Sequence, residues 1–408
     1  MGITLVIPMT FTTLAFGQQV ETNDLFVGFT SKFKLNWQDK GSGVSTDSSY
    51  WKPVPPSGYS LIGDYAQNSY NDPNGNAVIL VLKAKQRNAL ATPSDFVLVW
   101  KDTGSGAKLD GSMWNMVCPN GYVSLGSVSQ AGYSKPDVNS YRCVRANLAP
   151  TGTVGDLVWS DKGTGAKTDF SAWGIKASTA QSGYAHLSAG SFIAQPNHAA
   201  PLNANTLLVP VTPTQAAPSP RKPVLSGYGK PSDFGEDIVS YTTYLPWFAV
   251  KDPGLTDAQK IVQSPVYSLV RTSQYRLIDH IDNQNGNADQ SRSFDVTVGT
   301  TQAEEKNFSE STGISLTVGY TPPGDTGGVN ASVTLSKETT TGWTRSKEIN
   351  KETSVGTPLN VPKGTAGAVY EVISTFTLRR QNQQQVGQPI SGGTGSSVYF
   401  ASFPAPSK

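Results

Sequence analysis

Three times in its first half the chain repeats one pattern: a Trp, an Asp two residues on, a Gly-rich turn and a second Trp. The copies are LNWQDKGSGVSTDSSYWKP from Leu35, LVWKDTGSGAKLDGSMWNM from Leu98 and LVWSDKGTGAKTDFSAWGI from Leu157. One interval separates every pair: Trp37/Trp51, Trp100/Trp114 and Trp159/Trp173. Only 8 tryptophans occur in 408 residues, and six of them stand in this register. A repeat at this spacing predicts a three-fold architecture in which each copy is one supersecondary unit. Each copy also continues into a Gly-Tyr pair, Gly58/Tyr59, Gly121/Tyr122 and Gly183/Tyr184, with a longer loop in the third.

The composition favours strands over helices. Charged residues make up 15%, against about 25% in an average soluble protein. Gly (40) and Pro (27) are abundant, as suits short strands joined by tight turns. β-type runs such as Ala77–Ala84 and Tyr141–Leu148 lie between the repeats, and no long stretch has helical period. One segment, Leu255–Gln263, predicts a helical turn or two with Thr256 as its N-cap. The expected fold class is all-β.

The repeats predict a first domain over residues 1–195. A Pro/Ala-rich linker follows over 196–232, read as a semi-rigid connector unable to hold a helix or central strand. A second domain, rich in Thr, Ser and Val, spans 233–408. The apolar N-terminus lacks a positive region and reads as an opening strand rather than a signal peptide. No run is long enough for a membrane-spanning helix. Cys118 and Cys143 could pair or remain buried thiols.

A net charge of +2 gives no reason to expect nucleic acid. The three histidines, His186, His198 and His280, sit in no zinc or HExxH setting, and the Gly-x-Gly turns lack the helix that phosphate binding needs. The sequence therefore predicts no enzyme, no cofactor and no metal. Trp37, Trp100 and Trp159 read either as the centre of a three-fold core or as exposed platforms for sugar rings. Asp39, Asp102 and Asp161 read either as turn formers or as ligands for a sugar hydroxyl or a cation.

The segment Thr312–Lys337 stands apart. Ile314, Leu316, Val318 and Tyr320 alternate with Ser315, Thr317 and other small residues. After a PPGDTGG turn, Val329, Ala331, Val333 and Leu335 alternate with Asn330, Ser332, Thr334 and Ser336. Period-2 alternation puts each set on one face. Each arm has about the length of a tilted transmembrane strand, and neither carries a charge. A half-buried hairpin shows the same alternation, but its polar face would ordinarily carry Lys or Glu. The expectation is a membrane-inserting hairpin whose first set faces lipid and whose second faces a pore lumen. One hairpin cannot close a barrel, so several chains would each contribute one.

These residues carry two resemblances. The second half, from about Asp252 to Phe376, resembles the aerolysin-like β-pore-forming toxins of the epsilon-toxin and mosquitocidal branch. The first half is similar to the family named for vacuolar protein sorting-associated protein 62, through the Trp-Asp-Gly copies, PPSGYSLIGDYAQ and YRCVRANL. The second resemblance implies a β-prism-like domain. The first implies a soluble, secreted or released monomer that binds a glycan or protein receptor. It would then form a homo-oligomer and insert in a target-cell membrane. A non-lytic carbohydrate- or membrane-binding β protein is the alternative. The two differ in whether the Thr312–Lys337 arms insert.

Overall fold

Each tryptophan copy folds into an antiparallel three-stranded meander. The computed structural model describes residues 20–178, 180–181, 183–210, 220–296, 298–316, 331–334, 353–354 and 358–404. The first meander is Phe33–Gln38, Ser49–Pro53 and Tyr65–Gln67. The second is Asp95–Lys101, Gly111–Val117 and Val128–Ala131. The third is Thr151–Ser160, Ser171–Lys176 and Phe192–Gln195. The all-β expectation holds: strands dominate, and the helices are short.

The same irregularity recurs in all three meanders. Leu35 pairs with Trp51 and Trp37 with Tyr50; Leu98 pairs with Trp114 and Trp100 with Met113; Leu157 pairs with Trp173 and Trp159 with Ala172. Two residues advance on one strand while one advances on its partner, so each meander carries a β-bulge just before its first Trp. The bulge turns the first Trp to the face opposite its Leu and the second Trp. One tryptophan of each pair therefore points to the three-fold axis and the other points away.

Cys118 and Cys143 form a disulfide, with Cα atoms 5.8 Å apart. Around the meanders lies a second layer, in which Leu25–Thr30 pairs with Ile79–Ala84. This layer shares one hydrophobic core with the second half. Phe29 meets Trp247 at 4.4 Å and Phe248 at 4.8 Å between ring centroids. The second half is built on a five-stranded sheet whose centre is Val266–Asp282, Ala366–Arg379 and Gln385–Phe403, of 17, 14 and 19 residues. At about 3.3 Å per residue the first of these is roughly 55 Å long.

Two expectations need correction. The linker over 196–232 is not wholly a connector. Ala204–Asn205 pairs with the third meander, and Leu207–Pro210 pairs with Tyr184–Leu187. Leu207 and Val209 alternate into the core, so apolar burial outweighs the prolines that flank them. The first domain therefore runs to about residue 210. The helix expected at Leu255–Gln263 forms over Asp257–Gln263 with Thr256 as its cap. A second helix, Gln302–Thr312, forms in a half of the chain whose texture predicts strand. Its signal was present: Thr301 and Glu304 make a capping box, and Gly313 closes the helix in the left-handed conformation at φ 73°.

Candidate functional site

Trp37, Trp100 and Trp159 meet at the axis of the first domain, fully buried and in edge-on contact. Each donates its indole N–H to the next copy. Trp37 Nε1 reaches Asp102 Oδ2 at 3.1 Å, and Trp100 Nε1 reaches Asp161 Oδ2 at 3.2 Å. Trp159 closes the circle on the Thr46 carbonyl at 3.1 Å. With no ring face exposed, these tryptophans cannot be sugar platforms. The outward set is held just as regularly. Trp51, Trp114 and Trp173 donate to Ser49, Ser112 and Ser171 at 2.8, 2.9 and 2.8 Å. The triplet Ser-x-Trp was visible in every copy, and its serine is the residue sequence reading passed over.

Asp39, Asp102 and Asp161 are buried turn residues with structural partners. Asp39 accepts the Ser48 N–H at 2.6 Å and Asp161 the Phe170 N–H at 2.8 Å. The glycine turns beside them interlock around the axis. A Cβ on Gly41 would stand 2.9 Å from the Gly106 carbonyl oxygen, and one on Gly104 the same distance from that of Gly165. Both residues also have positive φ. The Gly-x-Gly spacing thus serves close backbone approach between copies.

A second acid accompanies each of these aspartates at the surface: Asp47, Asp110 and Asp169. In the first two copies a tyrosine stands by the inner and outer carboxylates. Tyr133 donates to Asp102 at 2.8 Å and to Asp110 at 3.2 Å, and Asp39 and Asp47 lie close enough to Tyr70 to raise its hydroxyl further above its ordinary value, after desolvation. Desolvation, with Asp102 adding to it, pushes the Tyr133 hydroxyl up to about 12, so it keeps its proton. In the third copy His198 occupies this place, with Nε2 2.7 Å from Asp161 Oδ1. The longer third loop hid this equivalence in the sequence.

Asp64 is a further buried acid, unread in the sequence. It accepts from Tyr141 Oη at 2.9 Å and from the Ser129 N–H and hydroxyl at 2.9 and 3.0 Å. Burial nevertheless pushes its carboxyl up to about 7. The folded chain therefore holds a proton there that the unfolded chain releases near pH 4. This stabilisation is complete below about pH 4 and is lost as pH rises to about 7. We expect urea unfolding to show wild type losing stability relative to Asp64→Asn across that window. The slope should approach about 1.4 kcal/mol per pH unit. A pH-independent difference between the two proteins would contradict this.

Of the alternating arms, residues 312–316 and 331–334 are described. Thr312 ends the second helix. Ile314 and Ser315 pair in parallel with Val333 and Thr334. Ile314, Ser315 and Leu316 are all buried. Residues Ala331–Thr334 pair in turn with Tyr184–Leu187 of the first domain: Ala185 opposes Val333 and His186 opposes Ser332. Ile314, Leu316 and Val333 enter the core that both halves share. Thr317, Val318, Tyr320, Val329, Asn330, Leu335 and Ser336 lie outside the described residues. Among the described residues, no helix is long and apolar enough to cross a membrane.

The interlocked three-fold head can be set beside known proteins. The family of vacuolar protein sorting-associated protein 62 matches residues 5–216, just over half of the chain. The chain belongs to this family. The family match ends near the Leu207–Pro210 strand that completes the head, which agrees with the boundary the strand pairing sets. Among solved structures, GNIP1Aa from Chromobacterium piscinae is 29% identical, over 43% of this chain and 33% of that chain, at a TM-score of 0.38. The chain thus matches about a third of that protein's length. Cry35Ab1 aligns over 95% of this chain and 91% of its own, at 10% identity and a TM-score of 0.33. No curated protein matches the chain.

Proposed function

We propose that this chain is a pore-forming toxin with a recognition head, whose arms within Thr312–Lys337 insert into a target membrane after oligomerisation. One observation carries the reading. The apolar side chains Ile314, Leu316 and Val333 are stored in the core between head and body, and Ile314–Ser315 runs parallel to Val333–Thr334, not antiparallel as in a hairpin. A segment that covers these apolar residues in water can still have the alternating pattern of a barrel wall. A rearrangement that brings the arms together antiparallel would expose one apolar face to lipid. Closing the barrel would then need one hairpin from each of several copies. The head would choose the surface, through a glycan or protein receptor, and the aerolysin-like texture of the second half is part of this proposal.

The test pins the arm. Ala185 and Val333 face each other across adjacent strands, where opposed Cβ atoms stand about 4.5–5.5 Å apart. Oxidised Ala185→Cys/Val333→Cys protein should release at least roughly ten-fold less dye than wild type from susceptible insect cells, and reductant should restore release. Wild type in the same reductant controls for the Cys118–Cys143 bond. Full activity of the oxidised variant would show that the arm does not insert. Binding of wild type without release on any cell or vesicle would favour a non-lytic binding protein.

A further inference from the structure

The three copies present one arrangement three times, an inner buried carboxylate, an outer exposed one and a ring group between them, but the ring group differs in kind. In the first two copies it is a phenol: Tyr133, whose hydroxyl bonds both carboxylates, and Tyr70, whose hydroxyl is raised by Asp39 and Asp47 in addition to desolvation. A phenol that keeps its proton is a weak ligand for a cation, its oxygen being neutral. In the third copy it is the imidazole of His198, the commonest metal ligand among side chains; Nε2 donates to Asp161 here, and a cation would take that place once the proton leaves Nε2. The ligand atoms of Asp161, Asp169 and His198 all lie within 4.8 Å of one another.

We propose that Asp161, Asp169 and His198 form a binding site for a divalent first-row cation such as Zn2+, present in the third copy and not in the other two. One nitrogen and two carboxylate oxygens suit zinc, which binds such donors at about 2.0–2.2 Å. Donors around a tetrahedral ion stand about 3.5 Å apart, so the set must close by a small movement. Its members can make that movement. Asp161 is fixed by the Phe170 N–H and the Trp100 indole, while Asp169 and the His198 ring lie at the surface. The open side leaves room for water or a ligand oxygen to complete the coordination. Because Asp161 is also the acceptor for Trp100, the ion would bear directly on the three-fold axis. Sequence distance concealed the set, since Asp169 and His198 come from the turn of the third meander and the chain beyond its last strand.

The test uses the full chain, stripped with a chelator and titrated with ZnCl2 by calorimetry. The expected result is saturable uptake of one Zn2+ per chain. His198→Tyr, which installs the ring group of the other two copies, should weaken it by at least roughly ten-fold while leaving the fold intact by circular dichroism. Asp169→Asn should do the same, and Asp110→Asn, at the equivalent place in the second copy, should leave uptake unchanged. A wild type that takes up no Zn2+, or a His198→Tyr variant that takes it up equally well, would overturn the proposal and leave His198 as an ion-pair partner of Asp161 only.

Discussion

Replacing Trp100 with alanine is expected to destabilise the chain by about 3–5 kcal/mol, the range for emptying a buried Trp site. The ring is fully enclosed. It stacks on Phe170 at 4.9 Å and meets Trp37 edge-on at 5.2 Å. Its indole also donates to the Thr168 carbonyl at 2.9 Å as well as to Asp161. Alanine would leave a void on the axis and remove a donor from a buried carboxylate. Because the circle of donors passes from copy to copy, the damage should not stay in the second meander. Trp173→Ala is the comparison, since that ring faces outward and is only half-buried. Urea unfolding should show a clearly smaller loss for Trp173→Ala. Equal losses would mean that the axis has no special place in the stability of the head.

Arg380→Ala should cost a similar amount, about 3–5 kcal/mol, for an electrostatic reason. Arg380 Nε and Nη2 hold the two oxygens of Asp252 at 2.7 and 2.8 Å, and Tyr267 Oη adds a bond of 2.8 Å. Asp252 is buried, so removing the guanidinium leaves a charge that water cannot reach. Burial alone would raise the Asp252 carboxyl, but Arg380 and Tyr267 offset it and hold the group below its ordinary value. A carboxyl depressed by folding stabilises above the unfolded pKa near 4, and that contribution is lost as pH falls further. The variant should therefore be much less stable than wild type at pH 7, with the gap narrowing below about pH 4. Arg380→Ala/Asp252→Asn should recover part of the loss, because the stranded charge is gone. A gap that does not change with acid would mean that the arginine acts through packing alone.

The head was legible because its constraint is repeated. Three Trp pairs at one interval cannot arise from a single local preference, and they announced three equivalent units. The capped helix at Asp257–Gln263 was legible from Thr256, since a cap acts over one turn. The helix at Gln302–Thr312 carried the same kind of local signal but lay in Ser/Thr-rich surroundings that suggested strand. The strands at Ala204–Asn205 and Leu207–Pro210 were hidden for a different reason. Their partners lie in other parts of the chain, and a proline-rich stretch gives no sign of an edge waiting for it.

For the candidate sites the division is sharper. Sequence could pick out Asp39, Asp102 and Asp161 but could not distinguish a turn acid from a ligand. That depends on which groups point at the carboxylate, and here they are backbone N–H groups, indoles, tyrosines and one histidine. Sequence found the alternating arms but not their present partners.

By itself, then, the sequence determined an all-β chain with a three-fold first half and, in the second, an alternating segment whose charges stand only at its turn and its end. Those properties are periodic and local, and period is what a chain can write into its residues. Tertiary structure alone decided which tryptophan of each pair turns inward, because a bulge of one residue sets the face. It also decided that Ile314–Ser315 runs parallel to Val333–Thr334, that Ala331–Thr334 pairs with Tyr184–Leu187 of the head, and that His198 joins Asp161 and Asp169. Each of these depends on contacts between residues far apart in the chain, where no pattern of neighbours carries the information.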